Sequence, residues 1–167
     1  MRAVIQKVSK ANVIVENEEV GKINNGLLVL LAVKETDGKE DIAYIKKKIE
    51  KLRIFEDEEG KMNLSVEDVG GEILLVSQFT LYGDVRKGNR PSFIESAKAD
   101  KANEFYEILK EELVNDGFKV QTGKFQTHML VNLTNDGPVT IIIDSERIIW
   151  WKWECLLLVQ PWQIYML

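Results

Sequence analysis

The chain has 167 residues, 45% of them hydrophobic and 29% charged, with a formal net charge of −5. That balance fits one globular domain and excludes a disordered or fibrous chain, while the negative charge argues against indiscriminate coating of nucleic acid, which needs many phosphate-neutralising cations. A single cysteine, Cys155, excludes an internal disulfide and any multi-cysteine metal site, and the opening residues 1–7 lack the apolar stretch of a secretory signal, so a cytoplasmic location is expected.

In chain order, segments 3–8 and 12–15 read as strands, and 20–23 returns after the polar turn 16–19, giving an opening meander. After Asn24-Asn25-Gly26, the segment 27–33 is apolar throughout, the pattern of a central strand covered on both faces. Ile42, Ile45, Ile49 and Leu52 place one apolar stripe on a helix over 39–52. Its Lys46, Lys47, Lys48 and Lys51, with Arg53 at the exit, read as a solvated face. Asp57-Glu58-Glu59-Gly60 is turn material, and 73–76 is a strand running into Ser77-Gln78-Phe79-Thr80. A polar, basic loop follows over 83–92.

A second helix is predicted from Lys98 to about Asn115, with Ala102, Phe105, Leu109 and Leu113 on one side and Asn115-Asp116-Gly117 as its stop. Segments 118–122, 128–134 and 139–143 then read as strands. The order of elements predicts an α+β layered architecture, not a regular alternation of parallel units. All four tryptophans, Trp150, Trp151, Trp153 and Trp162, fall in the last 18 residues. Residues 1–145 are read as the domain, a bound that rests on the resemblance set out below, and 146–167 as an atypical Trp-rich C-terminal extension. Lys152, Glu154, Gln160 and Pro161 interrupt its apolar residues, so it falls short of the roughly 20 apolar residues of a membrane-spanning helix, and no stable membrane association is expected.

The chemistry is defined first by what is scarce. One histidine, His128, sits in a stretch where alternate residues should face a core, which is thin support for a Ser-His-Asp arrangement or for zinc, and no metal or cofactor is expected. Ser77 and Thr80 are hydroxyl candidates, but such groups need a base to become nucleophiles, and none is visible. A site built from backbone amides at a strand end is the alternative: the amides hold a developing oxyanion while water or a substrate hydroxyl attacks. Asp136-Gly137-Pro138 reads either as an ordinary hairpin turn or as a cis Gly-Pro peptide whose rigid carbonyls act as a steric gate.

Ser77-Gln78-Phe79-Thr80-Leu81, Arg86-Lys87-Gly88-Asn89-Arg90-Pro91-Ser92-Phe93 and Asn135-Asp136-Gly137-Pro138-Val139-Thr140 together resemble the D-aminoacyl-tRNA deacylase family. The likeness runs from Met1-Arg2-Ala3-Val4 through Leu52-Arg53-Ile54-Phe55-Glu56-Asp57 and Val69-Gly70-Gly71-Glu72 to about Ser145. It implies a barrel-like core of layered sheets with two covering helices, assembled as a homodimer. It implies hydrolysis of the ester joining a D-amino acid, or glycine mischarged on tRNA(Ala), to the 3′ end of tRNA, with aminoacyl-tRNA as partner. By the same resemblance Ser77, Gln78, Phe79 and Thr80 form the catalytic segment, and Gly137 and Pro138 form a chiral gate contributed by the other subunit. Met129, Asn135 and Thr140 would support the pocket, and Arg86, Lys87 and Arg90 would contact tRNA phosphates. Two departures stand out. Phe125-Gln126-Thr127-His128-Met129 replaces the Phe-Gly-Ala stretch common before the methionine, and family chains usually stop soon after the positions of Asp144 and Ser145.

Overall fold

The computed structural model describes residues 1–148. The Trp-rich segment from residue 149 onward lies outside the described residues. The described residues form eight strands and two helices: β1 (Arg2–Val15), β2 (Glu18–Ile23), β3 (Gly26–Ala32), α1 (Lys39–Lys51), β4 (Phe55–Glu56), β5 (Met62–Leu64), β6 (Glu72–Ser77), α2 (Ala99–Asn115), β7 (Val120–Thr122) and β8 (Leu130–Asp144). A short 3-10 turn covers Phe79–Tyr82.

The main sheet runs β2-β1-β3-β6-β7, with β8 added along β1. Its first half is antiparallel, whereas β3, β6 and β7 are mutually parallel. The expected layered α+β frame stands, and its parallel half explains the helices: α1 with the small β4-β5 hairpin, and α2, are the crossovers that parallel neighbours require. The two central strands are buried on both faces. Leu27, Val29, Leu31, Ile73 and Leu75 pack under the helices, while Leu28, Leu74 and Val76 point into the other cluster with Val13 and Ile23. That second cluster is a barrel interior. β2 comes so close to β7 that a β-carbon on Gly21 would collide with the Thr122 carbonyl oxygen, so the sheet nearly closes on itself at a position only glycine permits. Truncating Leu28 or Leu74 to alanine removes atoms that no water reaches and costs about 2–5 kcal/mol.

The helices form where the pattern placed them. Ile42, Ile45 and Ile49 are the buried stripe of α1, whose start is fixed by the Gly38 amide donating to Asp41 Oδ2 at 2.8 Å. α2 buries Tyr106, Leu109 and Leu113 and ends at Gly117, with φ +92°. On the basic face of α1, Lys46 bridges Glu50 and Asp116 and Lys51 pairs with Glu67, while Lys47 and Lys48 are exposed.

Two expectations are corrected. Segments 3–8 and 12–15 are one strand, β1, whose register with β8 shifts between Val8 and Lys10. The extra residue there lets Val8 and Ala11, three apart, face the same interior, so the break in alternation marked a bulge and not a strand end. Segments 128–134 and 139–143 likewise form a single β8. Leu130–Asn135 and Thr140–Asp144 both pair antiparallel with β1, so the chain does not reverse at Gly137-Pro138 and the hairpin reading fails.

Candidate active site

Ser77 ends β6 opposite Leu31, and the strand then converts into the 3-10 turn. The conversion is held at several points. Gln78 N donates to Leu31 O at 2.7 Å, Leu81 N to Gln78 O at 3.2 Å and Ser96 Oγ to Phe79 O at 3.0 Å. The Phe79 ring meets Phe93 edge-on with centroids 5.1 Å apart. From the other side Arg2 donates to Leu81 O at 3.1 Å and to Asp144 Oδ2 at 3.3 Å, with its guanidinium 4.5 Å from the centre of the Tyr82 ring. Burial pushes the Tyr82 hydroxyl above its ordinary pKa, so it stays neutral.

Within this frame the Phe79 and Thr80 amides have no acceptor among the described residues. Phe79 and Thr80 are themselves exposed, unusually for residues just beyond a buried strand. Gln78 Nε2 donates to Thr80 Oγ1. That donor occupies a lone pair of the hydroxyl oxygen, the opposite of what a general base would do, and leaves the Thr80 O–H free to donate outward.

The turn opens on a cleft of about 550 Å³ at the carboxyl ends of β3 and β6. Ser77, Gln78 and Ser96 form a polar wall beside Phe79, and Ala99, Ala102 and Tyr106 of α2 an apolar one. The segment 125–129 closes it, so Met129 and the departing residues Gln126 and Thr127 do line the pocket. Gln126 holds φ +57°, a left-handed conformation that favours glycine. His128 lines the cleft too and is exposed, on the outward side of an alternation in which Met129 and Val131 pack against the core. Tyr106 is fixed by its hydroxyl donating to Leu75 O at 2.8 Å, and burial raises its pKa.

Thr80 is not on the cleft lining itself, and neither are Gly137, Pro138, Asn135 and Thr140 of the same chain. The last four belong to an excursion in β8: between Gln6, opposite Thr140, and Val8, opposite Asn135, β8 carries three residues more than β1. Asn135 spans the excursion. Val139 N donates to its Oδ1 at 2.8 Å, and its Nδ2 donates to Thr140 Oγ1 at 3.0 Å and to Val139 O at 3.3 Å. Lys7, only 4% exposed at its side chain, reaches Glu56 at 2.5 Å and Asp136 at 3.2 Å from its Nζ. Burial works against its charge, but the two carboxylates outweigh it and its pKa is raised. The Gly137-Pro138 peptide is cis, and both residues are exposed.

Of the three basic candidates, Arg86 is bound to Asp84 through Nε at 2.9 Å and Nη2 at 2.8 Å, which holds the Asp84 carboxyl well below the usual carboxylate range. Lys87 and Arg90 line a separate small cavity. Sequence reasoning missed Ser96, Arg2 and Tyr106. Ser96 and Tyr106 come close to the turn only through tertiary packing, and nothing in their local pattern sets them apart; Arg2 was visible only as part of the opening motif.

Comparison with known proteins follows the same segments. Residues 4–144 match the family model described as D-Tyr-tRNA(Tyr) deacylase. The chain is 57% identical over 148 residues to a D-aminoacyl-tRNA deacylase of Thermotoga petrophila, covering 89% of this chain and 99% of the relative. A D-aminoacyl-tRNA deacylase of Thermosipho africanus is 59% identical over the same share of each chain. Among solved structures, one described as c-Myc DNA Unwinding Element Binding Protein superposes with a TM-score of 0.82 at 40% identity, over 86% of this chain and 98% of that one. Another, described as "Structural Analysis of a probable eukaryotic D-amino acid tRNA deacylase", gives 0.73 at 19% identity, over 85% and 97%, and shares the fold. From its first strand to its last, this chain belongs to the D-Tyr-tRNA(Tyr) deacylase family.

Proposed function

We propose that the protein hydrolyses the ester of D-aminoacyl-tRNA, releasing the amino acid and free tRNA, and that it works as a homodimer in the cytoplasm. The observation that carries this reading is the strand-end turn, which presents two acceptor-less amides, Phe79 and Thr80, beside a cleft of about 550 Å³, with no activated side-chain nucleophile next to them. The terminal adenosine and its ester enter the cleft. Water adds to the ester carbonyl, the amides receive the oxyanion, and the ribose 3′-oxygen leaves with a proton relayed through the neighbouring 2′-hydroxyl. Thr80 orients the ester and does not attack, in keeping with the hydrogen bond it accepts from Gln78.

Selection against L-aminoacyl-tRNA is assigned to Gly137 and Pro138 of the partner subunit. They are exposed, braced by Asn135 and absent from their own chain's cleft, as a group serving a neighbour's site would be. A rigid wall where an L side chain must go discriminates by a clash, and glycine, lacking a side chain, passes; glycyl-tRNA(Ala) is thus a second substrate. Gln126 and Thr127 narrow the cleft relative to smaller residues. The likeness to the c-Myc DNA Unwinding Element Binding Protein favours a second reading, a nucleic-acid-binding module on the same fold without the reaction.

Hydrolysis of D-tyrosyl-tRNA measured beside L-tyrosyl-tRNA separates the two. Rapid loss of the D ester alone is expected. Stability of both esters, with tRNA still bound, would support the binding module instead. Mixed dimers carrying Gly137→Ala in one chain and Ser96→Ala in the other test the shared site: damage confined to the chain that bears each lesion would refute it.

A further inference from the structure

Beside the main cleft lies a smaller cavity of about 300 Å³, lined by Asp84, Lys87, Arg90, Ser92, Ile94 and Glu95. The strip 92–96 is the wall between the two. Ser96 lines the main cleft and Glu95 the smaller cavity, and consecutive Cα atoms are only about 3.8 Å apart. The same strip braces the turn, through Phe93 against Phe79 and Ser96 on the Phe79 carbonyl. The two cavities thus flank one short strip of chain.

The basic segment is built, not loose. Asp84 N donates to Ser92 O at 2.8 Å and Ser92 N to Asp84 O at 2.9 Å, so 84–92 is a small hairpin with Gly88 at φ +141° near its tip. Arg86 is paired with Asp84 through Nε and Nη2, and the same carboxylate accepts the Arg86 amide at 2.9 Å. The other carboxylate of the lining, Glu95, lies 3.6 Å from Lys34 Nζ. Lys34 is itself held more closely by Glu146, at 2.7 Å, and Lys87 and Arg90 have no ion-pair partner among the described residues. Next to them Ile94 is 90% exposed. A lone exposed isoleucine needs no explanation, but one beside two unpaired cations in a cavity offers an apolar face next to an anion site.

We propose that this cavity is the subsite for the nucleotide preceding the terminal adenosine: Lys87 and Arg90 hold the phosphodiester that joins the two, and Ile94 packs on the preceding base. Arg86 then serves as the buttress that neutralises Asp84 and shapes the hairpin, and does not touch RNA. Division of labour follows the general pattern in which phosphate contacts set register while the neighbouring site does the chemistry. The assignment rests on the reading that the main cleft takes the 3′-terminal adenosine.

The test is binding by the full chain of two non-hydrolysable probes, adenosine and the dinucleotide cytidylyl-(3′→5′)-adenosine. The wild type is expected to bind the dinucleotide about tenfold tighter, the size of one or two charge-assisted contacts. Its log affinity should fall with log salt at a slope steeper than that for adenosine by about 0.7, one single-strand phosphate. In Lys87→Ala/Arg90→Ala both the preference and the extra slope should vanish, and Ile94→Ala should reduce the preference alone. Lys47→Ala, an exposed cation on α1, should leave the ratio as it is. Equal affinity for the two probes in the wild type, or a preference that survives in the double variant, overturns the proposal. Because the readout is binding, it is distinct from the fate of the deacylase reading: an intact preference with no D-ester cleavage would sink the latter and leave the subsite standing.

Discussion

The two motifs that flank the chemistry are built in opposite ways. At Ser77–Thr80 a buried parallel strand breaks into a turn, and the break leaves two amides without acceptors. At Asn135–Thr140 an antiparallel strand bulges outward, and the Asn135 side chain takes over the hydrogen bonds that β1 no longer makes. One motif is strongly held from outside and open at its centre, so it presents donors to a ligand. The other is satisfied within itself and exposed at its tip, so it presents shape. In the proposed mechanism the first supplies donors for the oxyanion and the second a wall for the unwanted side chain.

The largest effect is expected at the tip of the bulge. Gly137 has φ +128°, and a β-carbon there would lie 2.5 Å from Val139 Cγ2. Gly137→Ala should displace the tip by a fraction of an ångström to an ångström and lower kcat/KM on D-aminoacyl-tRNA about 100-fold, the order that misplacement near a reacting centre commands. The same strain is local to the bulge and should lower Tm by only a few degrees. A collapse of Tm would mean that the bulge is a folding element and not a wall.

At the turn the contrast is between the hydroxyl and its support. If Thr80 orients the ester, Thr80→Ser should keep nearly full activity and Thr80→Val should lose about tenfold, the worth of one hydrogen bond. Complete loss in Thr80→Val, with a covalent acyl intermediate trapped in the wild type, would make Thr80 a nucleophile after all. Ser96→Ala releases the Phe79 carbonyl and should lower kcat by a similar factor without changing KM.

Asn135→Ala tests whether the bulge is self-supporting. It removes three hydrogen bonds around Val139 and Thr140, and leaves the largely buried Val139 amide without its acceptor. A stability loss of about 1–3 kcal/mol is expected, read as a drop in Tm of a few degrees for a chain of this size. An unchanged Tm would show that water replaces the amide and that the bulge is held by Lys7 and Asp136 alone.

How much of this could be read beforehand follows the range of the forces involved. The α1 stripe, the continuous apolar run of β3 and the stop at Asp116-Gly117 are local patterns, and each became the element it signalled. The motif residues were found as words, but their relation was not. Nothing local says that 130–135 and 140–144 lie along the same neighbour, because a bulge and a hairpin share the same turn-forming residues and differ only in their long-range partner. The pairing of Arg86 was hidden for a related reason. Its partner Asp84 is two residues away and was visible, but only the geometry shows Nε and Nη2 both directed at that one carboxylate.

The smallest effect is expected where neither motif reaches. Glu50 sits at the α1–α2 contact with its Oε1 buried and without a hydrogen bond, 3.3 Å from Lys46 Nζ, and Lys46 is also paired with Asp116. Burial, reinforced by Asp116, raises the Glu50 pKa above the ordinary carboxylate value against the pull of Lys46. A carboxyl with a raised folded-state pKa contributes stability below its unfolded value of about 4.3 and loses it as pH rises through the folded value. At neutral pH the charge is therefore a burden. Glu50→Gln should leave both esterase rate and D-over-L preference unchanged, and its Tm relative to wild type should climb as pH is raised from 4 to 7. A lower Tm at pH 7 would mean that the attraction of Lys46 outweighs desolvation, so that Glu50 joins the helices as a working ion pair.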